Sequence, residues 1–238
     1  MDFLQTLRMG RLHLAHQLFP KSVFRRSRLV LRMFSYESTM GRSGRKDLRE
    51  LLDMIPRLPG EIVECGSHYC GTTMIMANYL RSQGVEKIIY ACDSFGGFPA
   101  DEFERERQLG RTNKPQATYT EAGQYEHVNE KILRMGMDKQ VQVVKGLFQD
   151  SFPRWVSEWE TRKLCFVLVD CDLEESMLFC AHALWPLLVP GGVMAFDDYT
   201  SEEYQGARIA VDKFVAERPT DLGEHKLMRK LYLLRKKS

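Results

Sequence analysis

The chain has 238 residues, of which 44% are hydrophobic and 28% are charged, and its formal net charge is +2. This balance is typical of one folded domain, with or without an appendage, and it excludes both collagen-like repeats and disorder over most of the length. No apolar run approaches the roughly 18 residues that a membrane-spanning helix requires.

Positive charge is concentrated at the start of the chain. Residues 1–46 contain ten Lys or Arg against two acidic residues, whereas the remainder contains 24 basic and 30 acidic residues. We interpret residues 1–37 as a basic N-terminal extension and residues 38–238 as the folded domain. The extension lacks the apolar core of a signal peptide and has few serines for a transit peptide. It is suited to packing on the domain or to peripheral contact with an anionic membrane.

The cysteine pattern bears on the cellular compartment. The six Cys residues form no C-x-x-C pair, and several lie within apolar runs. This favours reduced, mostly buried thiols over a disulfide scaffold. We therefore expect an intracellular protein located in the cytoplasm.

Hydrophobic periodicity predicts alternating helices and strands along the chain. The first half is predicted to contain a helix over 47–56, a strand over 61–65, a Gly-containing turn over 66–71, a helix over 72–82 and a strand over 88–92. A loop-like region with a short helix near 101–109 follows, then a helix over 121–135 and a strand over 141–144. The second half is predicted to contain a strand over 164–169, a helix over 174–188, a turn at 190–192, a strand over 193–196, a helix over 205–217 and one or two strands within 226–235.

The alternation predicts an α/β fold, Rossmann-like, with a doubly wound and mostly parallel sheet. Ligands of such sheets bind beyond the carboxyl ends of the strands. We therefore expect the functional residues directly after the predicted strands, where acidic side chains occur repeatedly.

The first candidate site is the turn after the first strand, which reads Glu64-Cys65-Gly66 and has a second glycine at Gly71. A glycine turn between a strand and a helix lets a ligand approach the backbone closely. The spacing differs from the G-x-G-x-x-G of dinucleotide enzymes and resembles the first motif of S-adenosylmethionine (SAM) methyltransferases. A plain strand–helix turn is the alternative.

Asp93 ends the second predicted strand, where a carboxylate can accept both hydroxyl groups of a ribose. This position indicates a nucleoside cofactor without choosing between SAM and NAD. A helix-capping role for Asp93 is the alternative.

Acidic residues are clustered after two later strands. Asp170 and Asp172 follow one strand, and Asp197 and Asp198 follow the next. Carboxylates at adjacent strand ends would repel one another unless a cation or protons neutralise them, and oxygen ligands of this kind suit Mg²⁺. Capping of the next helix by Asp198 or Thr200 is the alternative.

Taken together, these motifs resemble the macrocin O-methyltransferase (TylF-type) family of Mg²⁺-dependent, SAM-dependent class I methyltransferases. The resemblance covers residues 38–217 well. It is carried by the segments 38–40, 60–66, 93–99, 144–153, 170–176, 190–199 and 210–214. It implies a sheet that ends in an antiparallel C-terminal strand.

The resemblance also implies a role for each motif residue. The methionine part of SAM would lie against Glu64, Gly66, Ser67, Gly71 and Thr72, the ribose against Asp93 with Ser94 nearby, and the adenine against Gly146, Leu147 and Phe148. Asp170 would border the cofactor and, with Asp197 and Asp198, bind Mg²⁺. Asp172 would be the catalytic general base.

The leading hypothesis is methyl transfer from SAM to a hydroxyl of a small molecule, such as a sugar, glycoside or phenol. Mg²⁺ would make that hydroxyl more acidic. Two alternatives stay open: a catalytically degenerate methyltransferase-fold binding module, and an NAD(P)-dependent Rossmann oxidoreductase, which the missing G-x-G-x-x-G disfavours. We expect no nucleic-acid partner, and a homo-oligomer stays open.

Overall fold

A computed structural model describes residues 37–115, 117–157, 163–217 and 220–237. Its first half contains α1 (Arg42–Leu52), β1 (Glu61–Cys65), α2 (Gly71–Ser82), β2 (Ile89–Asp93), α3 (Ala100–Gln108), α4 (Gln124–Met135) and β3 (Val141–Lys145). The second half contains α5 (Phe148–Ser157), β4 (Leu164–Val169), α6 (Glu174–Leu184), a 3₁₀ turn (Trp185–Leu187), β5 (Leu188–Phe196), α7 (Gly206–Glu217), β6 (Leu222–Leu227) and β7 (Tyr232–Lys236). Residues 1–36, which form most of the predicted basic extension, lie outside the described residues.

The strands form one sheet in the order β3-β2-β1-β4-β5-β7-β6. The pairs among β1 to β5 are parallel, whereas β7 is antiparallel to both β5 and β6. The predicted doubly wound sheet with an antiparallel C-terminal strand is therefore confirmed. Strand order reverses between β1 and β4, and such a reversal is where open α/β sheets bind ligands.

Hydrophobic side chains on the two faces of the sheet form two separate cores. One core contains Leu48 of α1, Leu80 of α2 and Ile132 of α4. The other contains Phe152 of α5, and α6 and α7 complete it. Helices therefore cover both faces, which explains why the central strand β4 is buried along its whole length.

Three helices differ from the sequence prediction, and helix α1 covers Arg42–Leu52 rather than 47–56. The other two differences involve proline. Helix α5 was not predicted, because Pro153 lies inside it and removes a backbone donor. Packing of Phe148 and Phe152, one helical turn apart, against the second core overrides that preference. Helix α6 ends at Leu184 rather than at Leu188, because Pro186 has no backbone N–H to continue the helical hydrogen bonds, and a 3₁₀ turn follows.

Strand β5 begins earlier than predicted. It starts at Leu188 and takes in the predicted turn residues, of which Gly191 has a φ of 77°. The pairing with β4 is interrupted there, since Leu164 pairs with Leu188 but Phe166 pairs with Val193. The Pro-Gly-Gly segment is thus an irregularity within the strand.

Two further sequence-level expectations concern the membrane and the thiols. Among the described residues, no helix is both long enough and apolar enough to cross a membrane. All six cysteines are buried free thiols, as predicted.

Candidate active site

The predicted functional residues stand in one row along the carboxyl edge of the parallel strands. Backbone hydrogen bonds of 2.9–3.0 Å continue the ladder one residue past the strands, from Gly146 to Asp93, Gly66 to Cys92, Asp170 to Cys65 and Asp197 to Val169. The first residue after each strand is therefore held beside its counterpart on the neighbouring strand. The row crosses the reversal between β1 and β4, and one cavity opens along it.

Ten of the residues predicted as site residues line this cavity. They are Gly66, Asp93, Ser94, Gly146, Leu147, Phe148, Asp170, Asp172, Asp197 and Asp198. The other four predicted residues, Glu64, Ser67, Gly71 and Thr72, are buried beside it and do not line it. The cavity joins the ends of β1, β2 and β3, called here the cofactor half, to the ends of β4 and β5, called here the acidic half.

Main-chain geometry shapes the turn of the cofactor half. Gly66 has a φ of 87°, and a Cβ atom there would lie 1.8 Å from the carbonyl oxygen of Asp170. Only glycine fits this close approach of two strand ends. His68 and Cys70 are also left-handed, with φ values of 47° and 56°. Non-glycine residues rarely adopt this conformation, and such strain is concentrated at functional sites.

Asp93 is oriented by the same turn. Its Oδ2 accepts the backbone N–H of His68 and its Oδ1 accepts that of Phe95, both at 2.7 Å. Burial raises the pKa of this carboxyl group, and the two backbone donors oppose that rise. Each oxygen keeps a further lone pair for a ligand hydroxyl.

Three of the four predicted residues outside the cavity wall, Glu64, Gly71 and Thr72, support the turn from behind. Glu64 accepts a hydrogen bond from the Thr73 hydroxyl, and burial raises its pKa to about 8. Thr72 Oγ1 lies 2.7 Å from Ser38 Oγ. A Cβ atom at Gly71 would lie 2.2 Å from the Ser38 nitrogen, so this glycine admits the segment that begins the described chain.

The acidic half contains a close carboxylate cluster. Oxygen atoms of Asp170, Asp172 and Asp198 lie within 4.8 Å of one another. Burial raises the pKa of Asp170, with a further contribution from Asp197, and burial together with Asp198 raises that of Asp172. Asp172 and Asp198 have φ values of 66° and 57°, so both cluster members are held in strained backbone conformations.

Asp197 lies beside the three clustered carboxylates and is not one of them. Its Oδ1 accepts the backbone N–H of Asp198 at 2.7 Å and lies 3.2 Å from Lys230 Nζ. Burial and the neighbouring Asp198 raise its pKa to about 6. Of the three predicted metal ligands, the structure thus brings Asp170 and Asp198 together with the predicted base Asp172.

The cavity wall also includes residues that were not predicted as site residues, among them Phe98, Tyr119, Tyr204 and Lys230. Phe98 packs edge-on against Tyr119 and lies 5.9 Å from Tyr204 between ring centroids. Tyr119 has a φ of 66°. Burial and the nearby Asp172 raise the pKa of both tyrosines. All four come from loops, where periodicity carries no signal, and only the aromatic Phe98 lay within a recognised motif.

Comparison with known proteins identifies the fold. The structure superimposes on the O-methyltransferase NovP with a TM-score of 0.69, at 19% identity, over 97% of this chain and 100% of that one. The fold is that of the class I SAM-dependent methyltransferases.

Comparison of sequences identifies the family. The model of the macrocin-O-methyltransferase (TylF) family matches residues 32–224, so the chain belongs to that family. A Streptomyces olivaceus enzyme, 8-demethyl-8-(2,3-dimethoxy-alpha-L-rhamnosyl)-tetracenomycin-C 4'-O-methyltransferase, is 32% identical over 157 residues, which are 63% of this chain and 57% of that enzyme. The demethyldecarbamoylnovobiocin O-methyltransferase of Streptomyces niveus is 30% identical over 148 residues, 60% of this chain and 53% of that enzyme. The matches thus span little more than half of either relative.

Proposed function

We propose that the protein is a Mg²⁺-dependent O-methyltransferase that transfers the methyl group of SAM to a hydroxyl of a small molecule, a sugar, glycoside or phenol. One observation carries the proposal: a nucleoside-type crevice and a carboxylate cluster share one cavity at the reversal of strand order. Family membership supports it, and both relatives are named for methylation of natural products, one of them rhamnosylated.

The cofactor half supplies groups that suit SAM. Asp93 faces the cavity and would accept the ribose hydroxyls, with Ser94 beside it. His68 lines the cavity, and its Nδ1 is buried without a hydrogen-bond partner among the described residues, so a polar group at this turn is left for a ligand. Leu147 is exposed at the cavity rim next to Phe148, and this apolar ledge suits a planar base.

SAM, when bound, supplies a methyl group that its sulfonium already activates. The work left to the protein is to hold the acceptor in line and to remove its proton. We assign the proton to Asp172, whose burial and acidic neighbours raise its pKa. A raised pKa makes a carboxylate a better base, and base catalysis typically contributes about 10²–10⁴-fold.

The acidic half also has the donor chemistry that Mg²⁺ requires. Asp170 and Asp198 belong to the carboxylate cluster, and Asp197 adjoins it in sequence. All three offer hard oxygen donors, and a cation would relieve the mutual repulsion of these acids. We propose that Asp170, Asp197 and Asp198 hold Mg²⁺, which would lower the pKa of the acceptor hydroxyl.

The aromatic residues beside the cluster would form the acceptor subsite. Tyr204 Oη is buried, its nearest acidic neighbours include Asp172, and it lies in the same cavity wall as Tyr119 and Phe98. A ring-shaped acceptor would pack on this wall and bond to the Tyr204 hydroxyl. Tyr204 of this aromatic wall lies close enough to Asp172 to interact with its charge. An acceptor bound on the wall would therefore be near the proposed base.

The alternatives explain fewer of these features. An oxidoreductase has no use for clustered acids, and a degenerate binding module has no need to keep four mutually repelling carboxylates.

The direct test is formation of S-adenosylhomocysteine from SAM over a panel of sugars, catechols and polyketide glycosides, with Mg²⁺ or with EDTA. We expect turnover that EDTA abolishes and Mg²⁺ restores. Turnover unaffected by EDTA would refute the metal role. Calorimetric binding of NAD without binding of SAM would refute the cofactor assignment.

A further inference from the structure

A lysine from the far end of the chain reaches the carboxylate cluster. Lys230 Nζ lies 2.9 Å from Asp198 Oδ1 and 3.2 Å from Asp197 Oδ1. Lys230 stands on the loop between β6 and β7, and it lines the same cavity as the acids. Among the described residues, every ion pair recorded for this cluster is made with Lys230.

The position of Lys230 is fixed by contacts outside the cavity. Asp47 of α1 is fully buried, and its Oδ2 accepts the backbone N–H groups of Lys230 and Leu231 at 2.7 and 3.1 Å. Its Oδ1 accepts a bond from Arg229 at 2.7 Å. A Cβ atom at Gly44 would lie 3.5 Å from Lys230 Cγ, so the lysine stem also runs along α1. These contacts anchor the loop between β6 and β7 and so direct the ammonium group of Lys230 toward Asp197 and Asp198.

The charges of Lys230 and of a divalent cation act on the same oxygen atoms. Asp198 belongs both to the three-carboxylate cluster and to the lysine ion pair. Two cations that share a carboxylate repel each other strongly at short range. A metal ion and the bound ammonium group therefore oppose each other at Asp198.

We propose that Lys230 is a tethered counter-cation that neutralises the carboxylate cluster in the metal-free protein and competes with the divalent ion for it. This inference rests on the proposed metal site. The ammonium group neutralises charge at Asp197 and Asp198, which relieves the repulsion within the cluster and weakens metal binding as a consequence. Lys230 is accordingly a positioning residue for the cluster rather than a proton donor.

The test uses the full chain and Mn²⁺ or Mg²⁺ alone, titrated by calorimetry. Lys230→Met keeps the aliphatic stem beside α1 and removes the charge, and Lys230→Arg keeps the charge. Lys226→Met is the matched control, because Lys226 is on the same hairpin and pairs with Glu224 at the surface. S-adenosylhomocysteine binding by each variant verifies that it is folded.

We expect Lys230→Met to bind the metal about tenfold more tightly than the wild type, because the competing charge is gone. Lys230→Arg and Lys226→Met should bind like the wild type. The melting temperature of metal-free Lys230→Met should be lower, and Mn²⁺ should raise it more than it raises that of the wild type.

The outcomes separate this inference from the proposed function. Metal binding by the wild type with equal or weaker binding by Lys230→Met would overturn the competition and leave the metal site intact. Binding by Lys230→Met alone would support the competition most strongly. Failure of every variant to bind metal while S-adenosylhomocysteine still binds would overturn both the metal role and the competition.

Discussion

The two halves of the cavity are built in different ways. In the cofactor half, main-chain groups hold the site: Gly66 approaches Asp170 through backbone atoms, and Asp93 is fixed by two backbone N–H groups. In the acidic half, side-chain charges decide the arrangement, since Asp198 and Lys230 pair across distant parts of the chain. The cofactor half should therefore tolerate changes of salt concentration, whereas the acidic half should respond to changes of side-chain charge.

The largest expected effect is in the acidic half. Asp172→Asn should lower kcat by about 10²–10⁴-fold, because the proton loses its acceptor. Binding of S-adenosylhomocysteine should be unchanged, and Mn²⁺ affinity nearly so. Steady-state kinetics measures kcat, and calorimetry measures the binding of S-adenosylhomocysteine and Mn²⁺. Asp138→Asn, at an exposed position, is the control. A parallel loss of metal affinity would make Asp172 a metal ligand instead of the base.

The corresponding change in the cofactor half is Asp93→Ala. It should weaken S-adenosylhomocysteine binding about 10- to 100-fold, since hydrogen bonds to a charged group contribute about 1.5–3 kcal/mol each. Mn²⁺ binding should be the same as in the wild type, which would show that the two halves of the cavity bind their ligands independently. Calorimetry of both ligands on one preparation makes the comparison. Unaltered cofactor binding would remove Asp93 from the site.

A smaller effect is expected at the aromatic wall. Tyr204→Phe should raise the KM for the acceptor about 2- to 10-fold, the range for one lost neutral hydrogen bond. Tyr199→Phe is the control, because its hydroxyl bonds to Asp212 outside the cavity, at 3.0 Å. Equal kinetics of the two variants would place the acceptor elsewhere.

Glu64 is a buried side chain that should make the stability of the cofactor half depend on pH. Burial raises the pKa of Glu64 to about 8, so the folded chain binds this proton more tightly than the unfolded chain. Stability conferred by the protonated group is therefore lost as pH rises from about 4.5 to 8. Glu64→Gln should flatten the fall in melting temperature over this range and be the more stable form at pH 9. If the melting temperatures of the wild type and of Glu64→Gln change with pH in parallel, ionisation of Glu64 does not destabilise the folded chain.

The smallest effect is expected from removal of residues 1–36. The truncated chain keeps Glu37, which forms a buried ion pair with Lys131, and Ser38, which contacts Thr72 in the cofactor half. It should fold and bind S-adenosylhomocysteine as the full chain does. Failure to fold would make the extension part of the domain. Loss of activity alone would assign it to the acceptor or to a membrane surface.

Local sequence was enough to find the strands and the residues that end them. Short apolar runs that stop at Gly66, Asp93, Asp170 and Asp197 predict both the sheet and its functional edge. The physical reason is that parallel strands bring their carboxyl ends to one edge, so residues far apart in sequence become neighbours without any further information.

Local sequence was not enough where packing between distant segments decides the outcome. Helix α5 forms despite Pro153, because its aromatic side chains fill the second core. Which carboxylates cluster depends on the strained backbone of Asp172 and Asp198. The hydrophobic periodicity of a strand or helix does not predict the backbone conformation of the turns that follow it.

The sequence by itself therefore determined the fold class, the family and the row of strand-end residues. Only the tertiary structure decided what completes the acidic half. Lys230 reaches Asp198 because Asp47, 183 positions earlier, anchors its loop. Tyr119 and Tyr204 meet because two loops close over the same cavity. Such contacts are set by the packing of whole elements against one another, and a local pattern of residue types does not encode them.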